Sequence, residues 1–174
     1  MPATWRVSLP VLHDRPASKA RALPRVAILG VGNVQRSDDA AGMLVIRELA
    51  RRTGGNEREG LLIVEGGSAP ENRTAELRRF APELVILVDA ADMGEAPGTI
   101  RWIAEDEIDG MSASTHSLPL SMLAHYVTLE CNCPVRILGI QATSNQVGER
   151  VSPEVMQAVR EVVDEMDIVF RRIS

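Results

Sequence analysis

The chain has 174 residues, 45% of them apolar and 25% charged, with a formal charge of −5. That is one globular domain's worth of sequence, too apolar for a disordered chain and long enough to bury a core without disulfides or a structural metal. The acidic balance argues against general binding to nucleic acid, which rests on phosphate neutralisation, and no apolar run approaches the ~18 residues of a membrane span.

Residues 1–24 carry Pro2, Pro10, Pro16 and Pro24 and lack an apolar signal core. They are expected to form a flexible N-terminal extension, with the folded domain over 25–174. Val26–Val31 is an apolar run stopped by Gly32 and Asn33, which reads as a buried strand. After a loop at 34–38, residues 39–52 change to helical spacing, with Met43, Ile46, Leu49 and Ala50 on one face. Asp38 and Asp39 stand where a cap and first turn belong, and Gly54 and Gly55 end the helix. A second strand is expected over 61–64, a turn over 66–70, and a helix from about 71 to 79. Residues 84–89 form the clearest strand, with the charge of Asp89 at its end. A short strand at 99–103 is announced by Pro97 and Gly98. Then come a loop at 114–119, a helix at 120–129, a fifth strand at 135–140 and an amphipathic helix at 153–170 with Ser152 as its cap.

Strands alternating with helices predict a single three-layer α/β domain, with a twisted, mostly parallel five-stranded sheet and helices on both faces. The 99–103 strand follows Asp89 too closely for a helical crossover. An antiparallel placement there makes the sheet mixed.

In an open α/β sheet, ligands collect outside the carboxyl ends of the strands. Asn33, Asp38 and Asp39 follow the first strand, Glu65 the second, and Asp89 and Asp92 the third; His116 lies in a loop before a helix. Asp39, Asp89 and His116 together supply two oxygen ligands and one nitrogen. That set suits a borderline divalent metal with an open position for water or substrate, able to activate water or polarise a carbonyl. Each residue also has a plain structural reading: Asp39 as a helix cap, Asp89 as a hydrogen-bond acceptor, His116 as a satisfied loop histidine. Asp89 is the hardest to dismiss, because a charge ending an apolar run is costly to bury unless compensated.

Other chemistry fits less well. Gly30 and Gly32 match the start of a dinucleotide fingerprint, but Gln35 stands where its third glycine belongs, and Asp38 and Asp39 would repel a pyrophosphate. A nucleotide-binding module is therefore disfavoured. Cys131 and Cys133, with His125 upstream, fall short of a four-ligand zinc site. They form no disulfide framework, which points to a reducing, cytoplasmic setting. There is no Gly-x-Ser-x-Gly elbow and no HExxH motif.

Residues 30–42, reading GVGNVQRSDDAAG, resemble the opening motif of the nickel–iron hydrogenase maturation endopeptidases. Blocks at 65–72 (EGGSAPEN), 87–94 (LVDAADMG), 114–120 (STHSLPL) and 138–141 (LGIQ) agree with that family in order and spacing. Their wording is similar to the branch that serves the hydrogenase of formate hydrogenlyase complexes, and the resemblance covers 25–172. It implies a single α/β domain that clips a C-terminal extension from a hydrogenase large-subunit precursor once nickel is in place. It implies Asp39, Asp89 and His116 as the catalytic, metal-contacting residues. Asn33, Asp38, Glu65, Gly66 and Gly67 are expected to contact the substrate, with Gly66 and Gly67 leaving room for an extended peptide beside the sheet or simply making a turn. The implied nickel comes with the substrate, and no tightly bound organic cofactor, nucleic acid or membrane is expected. Glu65 departs from the family's usual aspartate, Ala40 from a glycine and Ala142 from a proline. The rival reading from another class is a non-catalytic metallochaperone that binds the same precursor.

Overall fold

The fold comes from a computed structural model, and the structure describes Trp5, residues 24–104, Glu107 and residues 118–172. The strands are β1 (Val26–Val31), β2 (Glu57–Arg58), β3 (Leu61–Gly67), β4 (Leu84–Ala91), β5 (Ile100–Ile103) and β6 (Val135–Gln141). The helices are α1 (Ala41–Thr53), α2 (Thr74–Phe80), α3 (Leu120–Cys131) and α4 (Pro153–Arg172).

The strands form one sheet in the order β2-β3-β1-β4-β6-β5. β3, β1, β4 and β6 are mutually parallel, and β2 and β5 close the two edges antiparallel. The expected mixed three-layer architecture holds, with six strands among the described residues in place of five. The missed strand is β2, whose two polar residues, Glu57 and Arg58, show no apolar period to read.

Alternation along the strands sorts the core onto two faces. Val26, Ile28, Ile86 and Val88 face α1 and α4, where they meet Val45, Ile46, Leu49, Val159 and Val162. Ala27, Leu29, Val85 and Leu87 face α2 and α3, where they meet Leu77, Phe80, Leu123 and Val127. β1 and β4 are buried along their whole length, as central parallel strands covered on both faces must be. Each fully buried Ile or Leu here contributes roughly 1.5–3 kcal/mol of burial.

The chain leaves β1 for α1 on one face and reaches β3 on one side of β1. It then returns through α2 on the other face to β4, on the opposite side of β1. The crevice between the carboxyl ends of β1 and β4 is therefore the topological switch point, where doubly wound sheets bind ligands.

Three local expectations change. The helix read from Asp39 begins at Ala41, and Ser37–Ala40 forms a separate 3-10 turn. No side chain caps that turn or α1, so the capping role read for Asp38 and Asp39 does not hold. β3 runs on through Glu65, Gly66 and Gly67, where a turn was expected. Gly30 pairs with Glu65 and Val31 with Gly67, so Gly66 is the extra residue of a bulge. A Cβ on Gly66 would stand 2.7 Å from the Gly30 carbonyl oxygen, which is why a glycine stays in the strand there.

Within the expected N-terminal extension, Trp5 is buried, and its carbonyl accepts a hydrogen bond from Trp102 Nε1 at 2.9 Å. Among the described residues no helix is long and apolar enough to cross a membrane.

Candidate functional site

Asp39 and Asp89 reach the switch point from different elements. Asp39 lies in the Ser37–Ala40 turn above the end of β1 and is 2% exposed; Asp89 lies in β4 and is fully buried. The turn packs directly against β4.

Glycines set how closely these parts approach. At Gly42, in the first turn of α1, a Cβ would lie 2.2 Å from the Val88 carbonyl oxygen and 2.3 Å from that of Val31. The head of α1 therefore rests on the backbones of β1 and β4, one residue before Asp89. Gly32 has φ +133°, and a Cβ there would meet the Asp39 carbonyl oxygen at 1.9 Å. Past this bend, the Asn33 N–H donates to Asp39 Oδ2 at 3.0 Å and to the Asp39 carbonyl at 3.2 Å. The Asp39 N–H in turn donates to the Arg36 carbonyl at 2.9 Å. The Asp39 carboxylate is thus oriented by the backbone of the loop that carries it.

Strand alternation gives the direction of Asp89. Val88 and Ala90 pack on the α1 and α4 face, so Asp89 points to the side of α2 and α3. α3 begins four residues after His116. His116 itself lies outside the described residues. Among the described residues no group of three or more His, Cys, Asp or Glu side chains is gathered as a metal site.

The residues expected beside the substrate have diverse surroundings. Asn33 is half-buried, and its Oδ1 accepts from the Gln35 N–H at 2.9 Å, an Asx turn. Asp38 is fully buried and faces the protein. Its Oδ2 accepts from the Thr143 N–H at 2.8 Å and the Ser144 N–H at 3.1 Å. Its Oδ1 accepts from the Ser152 N–H at 2.7 Å, and the Ser152 hydroxyl lies 2.9 Å from both oxygens. The Asp38 N–H also donates to the Ser144 carbonyl at 3.1 Å. Asp38 therefore locks the loop after β1 to the loop between β6 and α4, and the Ser152 hydroxyl expected to cap α4 is directed to it.

Glu65 is engaged by α1: Arg47 Nε and Nη2 each donate to its Oε2 at 3.0 Å. Both side chains are well exposed, at 48% for Arg47 and 39% for Glu65. Such a pair contributes little stability, roughly 0–1 kcal/mol, and leaves a charged rim beside the end of β3. Gly66 and Gly67 are half-buried. The Gly67 N–H faces Met43 Sδ at 3.3 Å, and its carbonyl accepts from the Gly32 N–H at 3.1 Å.

Sequence reasoning gave no role to Gln141, at the end of β6. It is 5% exposed. Its Oε1 accepts from the N–H groups of Met93 at 2.7 Å and Glu95 at 3.2 Å, and its Nε2 donates to the Ala142 carbonyl at 2.9 Å and to Asp92 Oδ1 at 3.3 Å. Gln141 thus fixes the loop leaving β4 just beyond Asp89. The available signal was a polar residue closing the apolar run of β6.

The chain has relatives over most of its length. The family model described as "HycI: Hydrogenase maturation protease" matches residues 43–168. The Hydrogenase 3 maturation protease of Escherichia coli K12 is 39% identical over 115 residues, covering 66% of this chain and 70% of that protein. The crystal structure of the NiFe hydrogenase maturation protease HycI from Thermococcus kodakarensis superposes with a TM-score of 0.74 at 28% identity, covering 84% of this chain and 92% of that one. The solution structure of the endopeptidase HycI from Escherichia coli gives a TM-score of 0.68 at 33% identity, covering 80% and 87%. With most of its length matched and its sheet superposed on these enzymes, the chain belongs to the hydrogenase maturation protease family.

Proposed function

We propose that the chain is the endopeptidase that removes the C-terminal extension of a nickel–iron hydrogenase large-subunit precursor after nickel insertion, acting in the cytoplasm. The observation that carries this reading is the pair of buried carboxylates, Asp39 and Asp89, at the carboxyl ends of the adjacent strands β1 and β4 in a chain of this family.

In this reading the nickel arrives as part of the substrate. Carboxylate oxygens from Asp39 and Asp89 and the imidazole of His116 receive it, a donor set that suits nickel and leaves positions open. Three protein ligands leave positions open for groups of the precursor, and an ion that arrives with the precursor makes cleavage wait for metal insertion. Held by these residues, nickel would supply polarisation of the scissile carbonyl or acidification of a bound water, and the carboxylate of Asp39 or Asp89 would alternatively take the proton of that water. The bulged end of β3 at Gly66 and the Arg47–Glu65 pair flank the path of an extended peptide on the β3 side of the site.

Intact-mass analysis of a nickel-loaded precursor incubated with the chain, beside a nickel-free control, tests the reading. Loss of one defined C-terminal peptide from the loaded precursor alone is the expected result. A stable complex with unchanged precursor mass would instead make the chain a metallochaperone.

A further inference from the structure

Gln141 ties down both ends of the loop between β4 and β5. Its side chain takes the N–H groups of Met93 at 2.7 Å and Glu95 at 3.2 Å and donates to Asp92 Oδ1 at 3.3 Å. Its backbone holds the far end: the Gln141 N–H donates to the Thr99 carbonyl at 2.8 Å, and its carbonyl accepts from the Gly98 N–H at 2.9 Å. Met93, held by the shortest of these contacts, is buried among the core residues on the α2 and α3 side of the sheet. Its sulfur is located by Gly139. β4 and β6 run parallel with Asp89 opposite Gly139. Leu138 and Ile140 pack on the α1 and α4 face, so Gly139 turns to the same side as Asp89. A Cβ at Gly139 would stand 2.9 Å from Met93 Sδ and 2.7 Å from Ile103 Cδ1. The room left by the missing side chain is therefore filled by Met93 and Ile103, over the β6 position that neighbours Asp89.

We propose that Met93 is a positioning residue for Asp89, and that Gln141 acts through it. The Met93 side chain closes the β6 side of the carboxylate against water and against side-chain rotation, so Asp89 meets the substrate's nickel and scissile peptide in one orientation. The inference rests on the proposed endopeptidase reading. Neither Met93 nor Ile103 carries a side-chain proton to donate, and a thioether accepts only weakly. A wall of this kind fixes a rotamer by close packing without competing for its charge. Methionine suits the place because its unbranched chain follows an irregular gap. The two carboxylates of the site are thus held by different means: Asp39 by the Asn33 N–H of its own loop, Asp89 by packing from the loop that Gln141 anchors.

The test combines carboxyl labelling with kinetics on the full chain. A water-soluble carbodiimide with glycine ethyl ester labels accessible carboxylates, and peptide mass locates the label. Asp89 should be protected in the unaltered chain, labelled severalfold faster in Met93→Ala and Gln141→Leu, and protected again in Met93→Leu. Asp38, which is equally buried, is the reference and should stay protected in Met93→Ala. For cleavage of nickel-loaded precursor, kcat should fall roughly tenfold or more in Met93→Ala with KM within about twofold, and Met93→Leu should recover most of it. Adding Gln141→Leu to Met93→Ala should lower kcat little further, as for residues that act through one another. Asp89 still protected in Met93→Ala, or Asp38 labelled in step with it, overturns the inference, and so does an unchanged kcat with Asp89 labelled. Losses that multiply in the double variant remove Gln141 from it. If the unaltered chain leaves the loaded precursor intact while Met93→Ala opens Asp89 to label, the seating of Asp89 by Met93 stands and the endopeptidase reading falls. If the precursor stays intact and Asp89 stays protected in Met93→Ala, both fall.

Discussion

Ser152 donates to the carboxylate of Asp38 through its backbone N–H at 2.7 Å and its hydroxyl at 2.9 Å, across 114 residues of chain. With the N–H groups of Thr143 and Ser144, that makes one buried acceptor for four donors. Removing the acceptor leaves the donors without a partner inside the protein, and each orphaned group costs about 1–3 kcal/mol. Asp38→Ala should therefore destabilise the fold by on the order of 3 kcal/mol or more, read as a lower urea midpoint. Asp38→Asn, which keeps an acceptor oxygen, should lose less. An alanine variant as stable as the parent would show that the two loops do not depend on this carboxylate.

The carboxylates at the switch point should behave differently. Asp39→Asn retains an oxygen that can accept the Asn33 N–H, so stability should stay within about 1 kcal/mol of the parent. Cleavage of nickel-loaded precursor should fall by roughly a hundredfold or more if Asp39 holds nickel or moves a proton. Single-turnover cleavage followed by mass checks this, and full activity would remove Asp39 from the site.

Gly42 tests the seating of α1. A methyl group there would meet two backbone carbonyl oxygens at 2.2 and 2.3 Å, and neither is the end of a flexible side chain. Gly42→Ala should lift the head of α1 from β1 and β4. The expected cost is about 3 kcal/mol, at the upper end for overpacking, with cleavage lost alongside. Equilibrium unfolding and the cleavage assay report the two effects separately.

Cys133 should be a poor nucleophile in the folded state. Burial raises its thiol to about 12 from an ordinary 9.0, and burial raises Cys131 as well. Only the thiolate is alkylated. At pH 8, iodoacetamide should label both cysteines slowly in the native chain and rapidly in urea. Equal rates in the two states would contradict the burial of Cys133.

Glu48 provides a pH dependence. Hydrogen bonds from Arg51 and then Arg52 lower its carboxyl from 4.5 to about 2. The folded state therefore releases this proton more readily than the unfolded chain does. The contribution of Glu48 to stability is complete above pH 4.5 and disappears as the pH falls toward 2. The group lies near the surface, so the contribution is no more than about 1 kcal/mol and weakens in salt. Glu48→Gln should be slightly less stable than the parent at pH 7, and the difference should shrink to nothing near pH 2.

Much of the architecture was legible because its cause is local. Val26–Val31 and the core of β4 are uninterrupted apolar runs, and α4 carries a long apolar stripe. Asp89 stood out because it ends such a run. The antiparallel placement of β5 followed from a connection too short for a helix. β2 was invisible because pairing to Leu61 and Leu62, and not its own composition, makes Glu57 and Arg58 a strand. The glycines of β3 signal a turn in isolation, and only β1 lying alongside makes them a bulge. Asp38 was misread as a cap because its true partners lie more than 100 residues away, at Thr143, Ser144 and Ser152. Nothing in the spacing of the sequence announces a carboxylate that serves another loop.

The hydrogen bond from Trp102 to Trp5 joins the only two tryptophans of the chain. Tryptophan fluorescence, excited beyond the absorption of Tyr126, therefore has a single origin, on β5 at the edge of the sheet remote from β1. Its change on heating or in denaturant reports the release of Trp5 from β5 together with the opening of the core cluster on which both rings pack. An unfolding curve read from fluorescence would agree with one read from far-ultraviolet dichroism only if the attachment of Trp5 and the opening of the core are one cooperative step.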